Sequence, residues 1–172
     1  MENRKMMLVI SKRLLIFAAI SLIFSTVMFG ITYYYGNRFM ISWFAFQCGI
    51  LGGFVSIQQR MKNIDSDELK LLSESWATIL VIPIYGGIFS LLLYLLILSG
   101  LIEGNLFPKF YMPQFDFPPT TENIKEFLNS TYPMSGADFA KFAFWSFVAG
   151  FSERFVPQII SKITSSEINI KQ

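Results

Sequence analysis

The stretch Ser135 to Ile160, SGADFAKFAFWSFVAGFSERFVPQII, decides how many times this chain crosses a membrane. It is apolar and aromatic enough for a spanning helix, yet it carries the adjacent charges Glu153 and Arg154. A helix from Phe139 to Ile160 would be centred near Ala149 and would hold the pair roughly 5 to 8 Å from the bilayer midplane, where a charge costs about 2.5 to 3.5 kcal/mol. The local punctuation favours a different frame. Ser135-Gly-Ala-Asp138 has the spacing of a helix-capping box and Pro157 is a natural stop, so the helix is expected over 136–156. Its centre then falls near Ser146. Glu153 and Arg154 move to about 11 Å from the midplane, where Arg154 can snorkel to the interface and complement the helix C-terminus.

The rest of the chain agrees with lipid as its main solvent. Of 172 residues, 53% are hydrophobic and only 15% charged, against about 25% in a typical soluble domain. Leu14 to Tyr35 is a run of 22 residues without a charge, enough to cover the roughly 30 Å hydrocarbon core. It follows a basic segment like that of a signal peptide, but it is too long for one and is expected to stay as an anchor. Spans are also expected over 39–57 and over 77–102, the latter interrupted by Pro83 and Gly86-Gly87. With 136–156, these make an all-α membrane protein: one membrane domain over 1–172, a four-helix bundle with short interfacial amphipathic helices.

Four spans divide the basic residues unequally. Arg4, Lys5, Lys12, Arg13, Arg60, Lys62, Lys70, Arg154, Lys162 and Lys171 fall on one side, and Arg38, Lys109, Lys125 and Lys141 on the other. Ten against four places both termini in the cytoplasm, and the membrane is expected to be a bacterial inner membrane.

The two long connections differ in character. In the cytoplasmic one, Asp65 and Glu68 have capping-box spacing, and Leu69, Leu72 and Trp76 recur at helical spacing, which predicts a short interfacial helix. The external loop, 103–135, contains FPKFYMPQFDFPP and is read as an extended lid pinned by ring packing, followed by a short helix with Ile124, Phe127 and Leu128 on one face.

Small residues mark the helix contacts. Ala45, Gly49 and Gly53 form one row on the second span, Gly52 and Ser56 an adjacent one, and Ser146 and Gly150 offer a matching row on the last. Such rows let backbones approach where lipid is as apolar as leucine; they serve packing within one chain or contact between copies. Arg60 ends the second span on the side where the last presents Glu153, so an Arg60 to Glu153 pair across the inner mouth is expected.

The segment GGFVSIQQR (Gly52 to Arg60), paired with AGFSERFVPQII (Ala149 to Ile160), is similar to small multi-pass inner-membrane proteins of bacteria. The overall plan also resembles the membrane effectors of anti-phage systems of the retron type, which are held inactive and then damage the inner membrane. That resemblance implies a non-enzymatic, oligomerising, membrane-perturbing protein, marks Gly150, Glu153, Arg154 and Pro157, and brings no catalytic role. The chain carries no separate nucleotide-sensing domain, so release of a restraining partner is the implied trigger.

The sequence disfavours several other classes. There is no His and a single Cys, Cys48, so a His/Cys metal site, a disulfide within the chain and imidazole catalysis are all out of reach. A net charge of +2, spread along the chain, gives no surface for direct nucleic-acid contact. No cofactor is expected. The expected partners are the bilayer and either further copies or a restraining protein. A channel or transporter subunit, or an assembly partner in a larger membrane complex, is the alternative.

Overall fold

The structure, a computed structural model, describes residues 2–35, 41–61, 66–115, 118–152 and 160. Among them the chain is mostly helical. α1 covers Glu2–Tyr34, α2 Ile41–Arg60, α3 Ser66–Glu74, α4 Trp76–Leu98, α5 Thr121–Ser130 and α6 Gly136–Phe151. Two short strands, β1 (Phe110–Tyr111) and β2 (Tyr132–Pro133), pair antiparallel with Phe110 opposite Pro133.

Among the described residues, three helices are long and apolar enough to cross a membrane: α1 over Met6–Thr32, α2 and α4. α6 has 16 residues, about 24 Å of helix, short of the roughly 30 Å core. Its expected last turn, 153–156, lies outside the described residues.

Several boundaries differ from the sequence reading. α1 starts twelve residues before Leu14, because nothing between Glu2 and Arg13 breaks a helix and the turns beyond the lipid continue it. The interfacial helix and the third span are separate elements. α3 ends at Glu74, Ser75 caps α4 by accepting the amide of Thr78 at 3.4 Å, and Trp76 therefore opens α4 instead of closing α3. α4 runs unbroken through Pro83 and Gly86-Gly87 and stops at Leu98, four residues before Ile102, where Ser99 and a left-handed Gly100 (φ 72°) turn the chain.

α2, α4 and α6 pack against one another along their lengths. Where α2 ends and α4 begins, Ile10 and Leu14 of α1 join Phe54, Ile57, Met61, Leu72 and Ile79 in a buried cluster. Towards the opposite end, Ile41, Ala45, Tyr94 and Phe142 form one cluster, and Leu93, Ile97, Ile102 and Ala149 another. α1 stands apart from this arrangement. Only 6% of its most apolar window is buried within the chain, against 39% for α2 and for α4.

Candidate functional site

Three glycines bring the backbones of α2, α4 and α6 into direct contact. A Cβ added to Gly150 would run into the backbone of Gly49; one added to Gly49 would strike the Gly86 carbonyl; one added to Gly86 would lie 2.6 Å from the Gly49 oxygen. Gly52 presses in the same way on the backbone of α6 at Phe147 and Phe151, and Gly53 on Pro83, whose Cα would be 2.7 Å from an added Cβ. Ser56 and Ser146 are buried, and the fully buried Ser90 donates to the Ala45 carbonyl at 2.7 Å. The small-residue rows are thus turned inward and occupied within one chain.

This contact fixes how far α6 slides along its neighbours. Gly49 and Gly86 lie within about 2 Å of the midpoints of α2 and α4, so Gly150, which touches Gly49, meets both helices near their middles. Backbone contact, and not the capping signal, sets that register.

From Gly150 towards its N-terminus, α6 grips with one face the segment around β1, which caps this end of the bundle. Asp138, Lys141, Phe142 and Trp145 follow the i, i+3, i+4, i+7 spacing that brings side chains onto one stripe. Asp138 accepts the Lys109 amide at 3.1 Å on one carboxylate oxygen and the Ser135 hydroxyl at 2.6 Å on the other. Lys141 donates to the Asn105 carbonyl at 2.7 Å. Trp145 donates through Nε1 to the Leu106 carbonyl at 2.8 Å and stacks on Phe107 with ring centres 4.9 Å apart. Phe142, Tyr94 and Phe110 complete the seat as a trio with centroid separations of 5.3 to 5.6 Å.

Only half of the predicted capping box forms at Ser135. Its hydroxyl oxygen accepts the Asp138 amide at 3.1 Å, but the Asp138 carboxylate is engaged by the cap loop. Asp138 lies in the first turn of α6, twelve residues before Gly150, about 18 Å along the helix. There the Ser135 hydroxyl and the Lys109 amide hold its carboxyl below the usual carboxylate range.

A cleft of about 480 Å³ opens between the outer end of α4 and the cap, with Glu103, Lys109, Phe110 and Met134 in its wall and no hydroxyl, thiol or imidazole side chain. Among the described residues no three His, Cys, Asp or Glu side chains gather where they would hold a metal ion.

Of the positions singled out in the sequence, Gly49, Gly52, Gly53, Ser56, Ser146 and Gly150 come together at the α2, α4 and α6 contact. Arg60 closes α2 at its inner end. Glu153, Arg154 and Pro157 lie outside the described residues, and with them the expected Arg60 to Glu153 pair. The cap-gripping face of α6 was missed, although its signal was present: Asp138, Lys141 and Trp145 are three hydrogen-bonding residues at helical spacing in an apolar segment. The search of family models, of curated proteins and of solved structures finds no match to this chain.

Proposed function

We propose that the chain is a non-enzymatic protein of the bacterial inner membrane that crosses it four times, keeps both termini in the cytoplasm, and acts by oligomerising and perturbing the bilayer, as anti-phage membrane effectors do. α6 serves as the first part of a fourth span that the sequence continues to Val156. It runs from the external cap down to the level of Gly49 and Gly86, so its C-terminal end points to the cytoplasmic side.

The observation that carries the reading is the contrast between α1 and the other three helices. α2, α4 and α6 use up their small-residue faces on one another, whereas α1 is apolar around its whole circumference and leaves nearly all of that surface to lipid or to other copies. In sequence, Glu153 and Arg154 follow Gly150 by three and four residues, and charges within a span are functional by default.

The test is membrane potential, read with a voltage-sensitive dye in cells expressing the chain from a tight promoter, beside an equally abundant Glu153→Ala, Arg154→Ala double variant. Rapid depolarisation by the natural chain, lost in the variant, is the expected result. An unchanged potential with abundant, correctly inserted protein counts against the effector reading.

A second reading, an assembly partner in a larger complex, is favoured by the exposed apolar side chains of the cap, among them Tyr111, Met112, Ile124 and Met134. Stable co-purification with one partner, without depolarisation, would select it. A channel would need its path between subunits, since backbone meets backbone where α2, α4 and α6 cross.

A further inference from the structure

Between α1 and α2, well inside the apolar layer, the Ser21 hydroxyl donates to Oε1 of Gln47 at 2.7 Å. Gln47 is three to four residues outward of the midpoint of α2, about 5 Å from the bilayer centre, and Ser21 is about 3 Å outward of the midpoint of the α1 span. Water does not reach this depth, and an amide hydrogen without an acceptor in hydrocarbon is strongly unfavourable. The Gln47 side chain has two such hydrogens on Nε2, and the single bond to Ser21 satisfies neither. Turning the amide over changes nothing in this account, because one polar end meets Ser21 and the other is left over.

The side chain is half-exposed and opens into a shallow notch lined by Phe24, Ser25, Met28 and Trp43. Beside the notch, Ile20, Phe24, Val27 and Ile31 form an exposed stripe along α1, spaced four, three and four residues apart as in a helix-packing seam. Trp43, also exposed, forms the other rim on α2.

We propose that a second copy of this chain seats against the groove between α1 and α2, and that the Gln47 amides of the two copies hydrogen-bond to each other across the interface. A primary amide carries both donor and acceptor and so is complementary to itself, which is what a two-fold interface requires of a residue near its axis. Lipid tails have no acceptor to offer in its place. The inference deepens the oligomerising reading above, on which it rests, and replaces the glycine rows as the contact between copies, because those rows are filled from within.

The experiment uses the full-length chain with a fluorescent tag in phosphatidylcholine and phosphatidylglycerol vesicles, counting photobleaching steps over a range of protein-to-lipid ratios. The natural chain is expected as a dimer or higher assembly. Gln47→Leu is expected to weaken association by about threefold to thirtyfold, the range that interhelical polar contacts give in lipid. Ser21→Ala keeps the amide and is expected to stay associated. In a Cys48→Ser background, Ser25→Cys is expected to cross-link between copies under mild oxidation, which tests the geometry even if Gln47→Leu folds poorly. A natural chain that stays monomeric at every ratio, a Gln47→Leu chain as associated as the natural one, or no cross-link at Ser25→Cys overturns the inference. Dye leakage from the same vesicles separates it from the effector reading. An assembled chain with Gln47-dependent association that does not leak supports the interface and counts against the effector, and a leaking monomer does the reverse.

Discussion

Arg13 lies 4.7 Å from the centre of the Trp76 ring and donates to the Ser73 carbonyl at 2.6 Å. One guanidinium thereby fastens α1 to the joint between α3 and α4, satisfying a carbonyl that the end of α3 leaves without a helical partner. Phe17 meets the same indole edge-on, with centroids 5.2 Å apart. The Arg13 contact acts together with the burial of Ile10 and Leu14 and the Ser21 to Gln47 bond in docking α1. Arg13→Ala is expected to lower stability by about 1 to 2 kcal/mol. The check is thermal unfolding in detergent, together with faster protease cleavage near Lys12. Arg13→Lys, which keeps the charge but not the planar fork, is expected to recover less than half of the loss.

The glycine contact predicts a sharp contrast among glycines of one chain. Gly150→Ala and Gly49→Ala each put a methyl group into backbone that cannot yield. They are expected to cost about 3 kcal/mol or more, beyond the usual penalty for overpacking a core with side chains. Gly30→Ala meets nothing within 4 Å and is expected to be neutral or stabilising by up to about 1 kcal/mol, since alanine is the better helix former. Unfolding midpoints of the three variants in one detergent decide the matter, and equal losses at all three would refute the packing.

The cap should be separable from the bundle. Trp145→Phe preserves a ring to stack on Phe107 but removes the bond to Leu106, and is expected to cost about 0.5 to 1.5 kcal/mol. Asp138→Ala removes the acceptor for Lys109 and for Ser135 together, and is expected to raise hydrogen exchange at Phe107 to Tyr111 while leaving α2 and α4 protected.

The same carboxylate makes that grip sensitive to acid. Its folded pKa is depressed, so the stabilisation is complete above the ordinary carboxylate range and is lost as pH falls through the lowered value. Loosening of the cap on acidification, absent in Asp138→Asn, is the expected signature. It can be read from Trp145 fluorescence in a chain with Trp43 and Trp76 replaced by Phe.

Composition and run length made the membrane class legible, and helical spacing made α3 and α5 legible as short helices. What could not be read was relative position. Capping signals locate where α6 begins, but its register is set by Gly150 meeting Gly49, a contact that no local pattern encodes. The two strands were missed because Phe110-Tyr111 and Tyr132-Pro133 are short and hold each other through a pairing more than twenty residues apart. The cap-gripping face was passed over because Asp138 had a sufficient local role as a cap partner and Lys141 was counted only for its charge. Gln47 is a lone polar residue in an apolar segment, and its bond to Ser21 depends on how two separate helices face each other.

The features that let α2 sit at the middle of the bundle make it a poor candidate to enter a membrane by itself. Its glycines, serines and Gln47 leave it the least apolar of the three long helices. During synthesis α2 emerges directly after α1, which is strongly apolar and carries Ser21, whose hydroxyl donates to the Gln47 side chain. The least buried of the three long helices thus supplies the partner for Gln47, a pairing available before α4 and α6 have been made.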